Sequence, residues 1–373
     1  MAYTKIVLPY RLKAGILALG AQSKSAFCFA KGNTAYLSDS MGDLGNAENF
    51  KKFDKSIKNL RKKLKIKPDI IACDLHPAYT STGYAHDLAG REKCRVKGIQ
   101  HHEAHVAGCM ADNNIKGRVI GIAFDGTGFG PDGMIWGGEF FTGTAKGFKR
   151  AAHLKYIPMP GAEAAVREPR RMAFSYLYDI FGKNAAGNIL TRLGKEKASM
   201  LAQMIDKKIN SPLTSSMGRL FDAVSSLAGI CDFAGHEGEA AVKLEKIIND
   251  AGREGKGSYR FRYKKDEGGI VVIDWRPVIK GVVKDLRLGV GKPEMSLKFH
   301  NAVRDMIIDV CKALRKRYKI KNVCMSGGVF QNRYLINSVK SVLGQEGFKV
   351  YSHRRAPSHD GCIPLGQAAL AGV

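Results

Sequence analysis

Three of the ten histidines of the chain fall within five residues, in the stretch QHHEAHVAGC at 100–109. His101 and His105 are four residues apart, so on a helix their Cβ atoms would lie on one face, about 5–6 Å apart. Two imidazoles placed in this way could bind one metal ion, at about 2.0–2.1 Å from each nitrogen. His102 would point away from that face. The spacing alone is a weak signal, and histidines with purely structural roles are the alternative.

A metal ion needs further ligands, and two aspartates are the obvious candidates. Asp125 follows the apolar run VIGIAF, and Asp360 follows KVYSHR after a short loop. Ligands of α/β proteins bind in the crevice beyond the carboxyl ends of the strands, where both aspartates are expected. An aspartate before glycine also commonly caps a turn or a helix. For Asp360 taken alone, capping is the better interpretation.

Glycine-rich turns follow apolar runs at two places, in DGTGFG at 125–130 and in SGGVFQN at 326–332. Glycines let backbone N–H groups approach phosphate oxygens closely, and a following helix adds a favourable dipole. Two such turns in separate halves of the chain fit a nucleotide held between two lobes, although hairpins also use glycine. Gly218 and Asp222 lie one helical turn apart in SSMGRLFDAVSSLAG, so Asp222 could meet ribose hydroxyls. Close helix packing is the structural alternative for Gly218.

Other polar side chains fit either a site or a structural role. Lys24 follows an apolar run and could reach a phosphate, and His76 with its neighbour Asp74 ends a strand and could line a channel or support metal ligands. The arginines of REPRR could hold phosphate oxygens through paired N–H groups; they are Arg167, Arg170 and Arg171. A solvated lysine, a structural histidine and surface ion pairs are the respective alternatives.

Strands and helices alternate along the chain. The run DIIACDL predicts a buried strand, HEAHVAGCMADN predicts a helix, and NVCMSGG begins a strand that leads through a glycine turn into a helix. This alternation predicts an α/β fold. We place the N-terminal lobe at 1–147, with the histidine pair and the first glycine turn, and the C-terminal lobe at 148–373.

Composition limits the classes of protein to consider. The chain has 373 residues and eight cysteines without a C-x-x-C pair, which disfavours a zinc ribbon and a disulfide framework. No apolar run is long enough for a membrane helix, and no signal core opens the chain, so we expect a cytoplasmic protein without a membrane partner. The net charge of +26 would attract nucleic acid, acidic protein surfaces or phosphorylated molecules. Without an RNA-binding motif, nucleic acid is the less favoured partner.

Eight motifs, taken together and in order, resemble the C-terminal region of the hydrogenase-maturation carbamoyltransferase family (HypF). The resemblance runs from about residue 15 to the end and implies the two-lobed fold of the actin/hexokinase/Hsp70-like ATPase superfamily. The motifs are CDLHPAYTSTGYA, QHHEAHVAGCMADN, FDGTGFGPDGMIWGGEF, EAAVREPRRMA, PLTSSMGRLFDAVSSLAGI, IDWRP, SGGVFQN and DGCIPLGQAAL.

The resemblance implies roles for individual residues. It implies an iron or zinc ion bound by His101, His105, Asp125 and Asp360, and it leaves His76 and Arg167 as candidates for catalytic roles. It also implies a site for ATP or carbamoyl adenylate, with AMP as the product. The residues that it implies for nucleotide binding are Gly126, Thr127, Gly128, Gly218, Asp222, Gly327, Gly328 and Asn332, and Lys24 is a further candidate from its own position in the sequence.

The function implied is transfer of a carbamoyl group from carbamoyl adenylate to the C-terminal cysteine of a HypE-type protein. Full-length members carry acylphosphatase-like, zinc-finger and YrdC-like domains upstream, and none of these motifs occurs in this sequence. We therefore expect a separate YrdC-like partner to supply the adenylate, although an excised domain or another use are alternatives. A tRNA threonylcarbamoyl-type transferase, a small-molecule O-carbamoyltransferase and a non-catalytic nucleotide-binding scaffold remain open.

Overall fold

The computed structural model describes residues 3–182, 192–251 and 257–373. The first of its two sheets lies in the N-terminal part and has six strands in the order β1-β4-β3-β2-β5-β6. These strands are β1 (Tyr3–Val7), β2 (Ile16–Ala18), β3 (Cys28–Lys31), β4 (Thr34–Ser38), β5 (Ile70–Asp74) and β6 (Arg95–Ile99).

The second sheet has nine strands, seven of which run in the order β12-β13-β9-β8-β7-β14-β15, while β10 pairs with β11 and β11 with β8. These strands are β7 (Val119–Phe129), β8 (Ile135–Thr144), β9 (Gly147–Leu154), β10 (Ile157–Pro158), β11 (Leu213–Thr214), β12 (Arg262–Lys265), β13 (Val271–Asp274), β14 (Asn322–Ser326) and β15 (Lys349–Ser352).

Helices connect and cover both sheets in the described parts of the chain. They are α1 (Ala47–Leu64), α2 (Thr80–Glu92), α3 (His101–Asp112), α4 (Glu163–Arg167), α5 (Pro169–Phe181), α6 (Lys195–Asp206), α7 (Met217–Leu227), α8 (Glu239–Lys246), α9 (Arg276–Arg287), α10 (Lys292–Tyr318), α11 (Arg333–Gln345) and α12 (Ile363–Ala371). Among the described residues, no helix is both long and apolar enough to span a membrane.

The two sheets share one topology, although the sequence contains no detectable repeat. In each sheet, three antiparallel strands are followed by two parallel ones, in the orders β4-β3-β2-β5-β6 and β9-β8-β7-β14-β15. The parallel strand β5 is buried along its whole length, as expected for a strand covered on both faces. Different apolar residues can form equally buried strands in the same order. The two halves can therefore share a topology without sharing a sequence.

The last helix of each half packs on the sheet of the other half. Helix α3 packs on β7, β8 and β14 of the second sheet, whereas α12 packs on β2, β3 and β5 of the first. The two helices also pack against each other, and their backbones approach so closely that a Cβ atom on Gly366 would lie 1.8 Å from the Ala104 carbonyl oxygen. Glycine is therefore required at 366, and the two lobes meet along this pair of helices.

The lobe boundary that we expected between 147 and 148 does not coincide with the sheets. Strands β8 and β9 pair antiparallel around this point, with Thr144 opposite Gly147, so the boundary would cut a hairpin. The whole β7–β8–β9 unit belongs to the second sheet because β7 pairs with β14. We propose instead that the lobes divide in the segment 113–118, between α3 and β7, with α12 returning to the first lobe.

Candidate metal and nucleotide site

Helix α3 positions the histidine pair. Its first turn is capped by Gln100, whose side-chain oxygen accepts a hydrogen bond from the backbone N–H of Glu103 at 2.9 Å. His101 and His105 lie on one face with ring centroids 5.1 Å apart, as the sequence spacing predicts. Both side chains are fully buried. A buried imidazole requires partners for its nitrogens, and these come from outside the helix.

The two aspartates approach the histidines from different parts of the fold. Asp125 comes from β7, where the pairing with β8 is irregular between Phe124 and Gly128, and Asp360 begins a short 3-10 helix before α12. The Nε2 atom of His105 lies 3.1 Å from Asp125 Oδ2 and 3.7 Å from Asp360 Oδ1. The corresponding distances from His101 Nε2 are 3.5 and 3.9 Å. One ligand atom from each of the four residues lies within 4.8 Å of the others.

The electrostatics of this cluster favour positive charge. Burial opposes the charged form of His101, but the carboxylates of Asp74, Asp125 and Asp360 outweigh it and raise the pKa of His101 to about 10. Burial would also raise the pKa of Asp125, yet the adjacent His101 and His105 imidazoles hold that pKa well below its usual range. The cluster thus holds protons at neutral pH in the absence of another cation.

A divalent metal ion fits the same residues. The buried Nε2 atom of His101 has no hydrogen-bond partner among the described residues, so a cation would supply what this nitrogen lacks. Two imidazoles and two carboxylates are a donor set that suits zinc or iron. Metal binding would release the protons that the histidines otherwise hold.

A cavity of ≈ 310 Å³ adjoins the cluster. Its size is at the lower end of the range for small-molecule sites. The structure brings together around it most of the residues predicted to bind a nucleotide. They are Lys24, Gly126, Gly218, Asp222, Gly328 and Asn332.

Asp125 belongs to both the cluster and the cavity. Its Oδ2 atom faces the two histidines, while Oδ1 accepts a hydrogen bond from the backbone N–H of Gly328 at 3.0 Å. Asp125 also lines the cavity. A single carboxylate therefore couples the candidate metal position to the second glycine turn.

The glycines have different physical roles. A Cβ atom on Gly128 would lie 2.4 Å from a His102 ring carbon and 2.7 Å from a His101 ring carbon. At Gly327 the φ angle is +103° and a Cβ atom would lie 2.1 Å from the Phe124 carbonyl oxygen. Neither residue lines the cavity, and Thr127 does not line it either. These two glycines serve close packing, so the nucleotide role predicted for them is not supported by their positions.

Asp222 lies at the buried side of the cavity, beside Arg219. Its Oδ2 atom is 2.9 Å from Arg219 Nη2, and both side chains are almost fully buried. Burial raises the pKa of Asp222 to about 6, although the guanidinium favours the ionised form. A Cβ atom on Gly218 would lie 3.0 Å from the Gly126 Cα atom. Gly218 therefore permits close packing, and it also lines the cavity.

The two residues predicted to be catalytic lie elsewhere. His76 stacks on Tyr79 with ring centroids 4.1 Å apart, beside the cluster rather than on the cavity. Arg167 pairs with Glu163 on α4, and its side chain is 73% exposed. An arginine so placed contacts neither the cluster nor the cavity, so the role expected for Arg167 is not supported. Its neighbours Arg170 and Arg171 form ion pairs within the same region.

Sequence reasoning missed Glu237. Its Oε2 atom lies 3.3 Å from Lys24 Nζ, and its Oε1 would be 2.6 Å from a Cβ atom on Gly126. Burial opposes the charge on Lys24, but Glu237, Asp360 and Asp125 outweigh it and raise the pKa of Lys24 above its ordinary value. Gly235 and Gly238 flank Glu237 in the sequence. These glycines do not show where the loop before α8 places the side chain.

Comparison with known proteins places this site in a family. Residues 11–112 match the family described as the HypF Kae1-like domain, and residues 121–367 match the second subdomain of the carbamoyltransferase Kae1-like domain. The chain belongs to the HypF carbamoyltransferase family. The gap between the two matches, at 113–120, falls where the sheets divide.

The relatives agree with this assignment. The chain is 34% identical to carbamoyltransferase HypF of Synechocystis sp., over 97% of this chain and 48% of the relative. A carbamoyltransferase HypF homolog of Cupriavidus necator is 32% identical over 96% of this chain and 91% of its own length. The chain spans about half the length of the first of these HypF proteins.

A crystal structure of full-length HypF in a phosphate- and nucleotide-bound form matches with a TM-score of 0.90 and 38% identity. The match covers 99% of this chain and 57% of that one. It confirms the two-lobed, actin/hexokinase/Hsp70-like ATPase fold that the sequence motifs predict.

Proposed function

We propose that this HypF-family chain transfers a carbamoyl group from carbamoyl adenylate to an acceptor during hydrogenase maturation. The observation that carries the proposal is the double role of Asp125, which joins the cation cluster to the cavity. A carbonyl group near the cluster and an adenylate in the cavity would then be neighbours. The HypF relatives and the nucleotide-bound HypF structure support the same assignment.

The residues of the chain hold the reactants in this proposal. Asp222 meets the ribose hydroxyls, and Lys24 and the Gly126 and Gly328 turns hold the phosphate. A bound iron or zinc ion would act as a Lewis acid on the carbamoyl or phosphate oxygens. The acceptor thiolate attacks the carbonyl carbon, the bond from that carbon to the phosphate oxygen breaks, and AMP leaves. Orientation of the two reactants is the main contribution of the protein.

The acceptor and the adenylate source are part of the proposal. The acceptor is the C-terminal cysteine of a HypE-type protein, and a YrdC-like protein makes the adenylate from carbamoyl phosphate and ATP. His76 stacks on Tyr79 and does not line the cavity, so we assign it to the wall of the acceptor path rather than to a proton transfer.

Mass spectrometry of a reconstituted mixture tests this function. The mixture contains the chain, a YrdC-like protein, carbamoyl phosphate, ATP and an acceptor peptide that ends in cysteine. Carbamoylated peptide should form with the wild-type chain and with Asp87→Ala, a change on the exposed face of α2. It should be absent with Asp360→Ala. Equal yields from Asp360→Ala and Asp87→Ala would contradict the proposal.

Modification of tRNA is the second candidate. The chain is 27% identical to a tRNA N6-adenosine threonylcarbamoyltransferase of Persephonella marina over 38% of its length, and its net charge is +26. A gel shift with tRNA that weakens steeply with salt would favour this candidate, since phosphate contacts release counterions. Small-molecule O-carbamoylation and a scaffold role have no comparable support.

A further inference from the structure

The outer ring nitrogen of each histidine in the cluster is held by another buried side chain. His101 Nδ1 lies 2.8 Å from Asp74 Oδ2, and His105 Nδ1 lies 2.9 Å from Ser326 Oγ. All four side chains are fully or almost fully buried. Both imidazoles therefore direct their Nε2 atoms toward Asp125 and Asp360 rather than toward the outer partners.

The two outer partners differ in what they allow. An ionised carboxylate only accepts hydrogen bonds, so Asp74 requires a proton on His101 Nδ1 and leaves the Nε2 lone pair for a cation. Asp74 is itself oriented, because its Oδ1 accepts a hydrogen bond from the backbone N–H of His76 at 3.0 Å. A serine hydroxyl can donate or accept, so Ser326 does not fix the proton of His105 in the same way.

The surroundings of Ser326 strengthen this contrast. Its hydroxyl also lies 2.9 Å from His353 Nε2, and the Cys362 thiol lies 3.3 Å from His105 Nδ1. His105 thus has two neighbours that compete for one ring nitrogen, whereas His101 has a single carboxylate. The sequence separates these residues widely: Asp74 ends β5 in the first lobe, and Ser326 ends β14 in the second.

We propose that Asp74 is the positioning residue of the metal site, which fixes His101 in the protonation form and orientation that bind a cation, and that Ser326 makes a smaller contribution at His105. The inference rests on the cation site of the proposed function. Loss of such an outer partner typically lowers metal affinity by about 10- to 100-fold. We expect Asp74→Asn to fall in that range, and Ser326→Ala to lower affinity by less than about tenfold.

Calorimetric titration of the metal-free protein with zinc alone tests the proposal without any activity measurement. Asp74→Asn should weaken zinc binding more than Ser326→Ala does, while Asp87→Asn on the exposed face of α2 should bind as the wild type does. Circular dichroism and thermal melting of the metal-free variants show whether a fold defect accounts for the loss. Unchanged zinc affinity in a folded Asp74→Asn protein would overturn the inference.

A measurement on the wild type covers the case in which Asp74→Asn does not fold. Nitrogen-15 NMR of histidine side chains in the zinc-loaded protein should show the His101 proton on Nδ1, with Nε2 lacking one. A proton on Nε2 of loaded His101 would overturn the inference. Wild-type protein that binds zinc no better than Asp360→Ala would instead remove the cation site itself, so the two failures are distinguishable.

Discussion

At the scale of single residues, the candidate metal site is a set of charges that cannot be satisfied by the protein alone. Two carboxylates and two buried histidines face one another, and protons neutralise them when no metal is bound. Removing one ligand leaves a site with fewer donors and an altered charge. The consequences can be measured directly, as metal content and as the dependence of stability on pH.

We expect His101→Ala and Asp360→Ala to strip the bound metal while the fold remains. Each change removes one of the four ligands, and the three ligands that remain bind a divalent ion much more weakly. Metal analysis of the purified proteins, with circular dichroism as the check on folding, measures this. His86→Ala, on the exposed face of α2, is the matched control and should retain the wild-type metal content. A full equivalent of metal in the two ligand variants would mean that the site lies elsewhere.

Asp222 should make the nucleotide-free protein less stable as pH rises. Its pKa is raised to about 6 in the folded state by burial, so the folded protein binds this proton more tightly than the unfolded chain does. Stability from this group is present in full at low pH and is lost as pH rises through about 6. The loss amounts to roughly 3 kcal/mol in the free energy of unfolding.

Asp222→Asn isolates this effect because it removes only the titrating group. Urea unfolding of the wild type and the variant, followed by the fluorescence of the buried Trp275, should give curves that diverge between about pH 4 and pH 7. The wild type should lose stability relative to the variant over that range. A constant difference across it would show that Asp222 titrates in the folded protein as it does in the unfolded chain.

At the scale of elements, the sequence predicted the parts that depend on local pattern. The segment DGTGFG, predicted as a turn, instead continues β7 as far as Phe129, whereas the strand DIIACDL is β5 and the histidine helix is α3. These follow from apolar runs and helical spacing, which act over a few residues. The motifs also indicated four ligands, which the fold brings within 4.8 Å of one another.

Features that depend on packing between distant elements were not predictable from local pattern. Glu237 reaches the first glycine turn only because the loop before α8 folds over it. Arg167 sits in an arginine-rich motif, yet its position on a short surface helix leaves it exposed. A lobe boundary at residue 147 would cut the hairpin of β8 and β9, and the sequence does not indicate which sheet a hairpin joins.

The close approach of β7 to α3 makes Gly128 a sensitive position. We expect Gly128→Ala to push the His102 and His101 rings aside, since the added methyl would lie 2.4 Å from a His102 ring carbon and 2.7 Å from a His101 ring carbon. Overpacking of this kind costs about 1–3 kcal/mol in stability, and the displaced His101 should weaken zinc binding as well. Thermal melting and zinc titration measure the two effects.

Gly90→Ala is the control for that change. Gly90 lies in α2, and a Cβ atom there meets nothing within 4 Å. Alanine in an open helical position should leave zinc binding unchanged and raise stability by up to about 1 kcal/mol. If Gly128→Ala behaved like this control, the packing of β7 against α3 would not determine the histidine positions.

At the scale of the whole molecule, the site lies where two halves of the same topology exchange helices. The histidines lie at the start of α3, which belongs to the first half and packs on the second sheet. Asp360 lies just before α12, which belongs to the second half and packs on the first sheet. Lys24 and Glu237, one from each lobe, meet beside the same position. Movement of one lobe against the other would change the cluster and the cavity together, because Asp125 belongs to both.

The net charge of +26 predicts how the molecule meets its partners. In the proposed function a YrdC-like protein supplies the adenylate, and an acidic surface on that partner would be steered to this chain by complementary charge. Steered association slows steeply as salt screens the charges. At limiting partner concentration we expect the rate of peptide carbamoylation to fall roughly tenfold between low and physiological ionic strength. Zinc content, measured in parallel, should stay constant because the cluster is buried. A transfer rate that is independent of salt, with metal retained, would mean that the positive charge plays no part in docking.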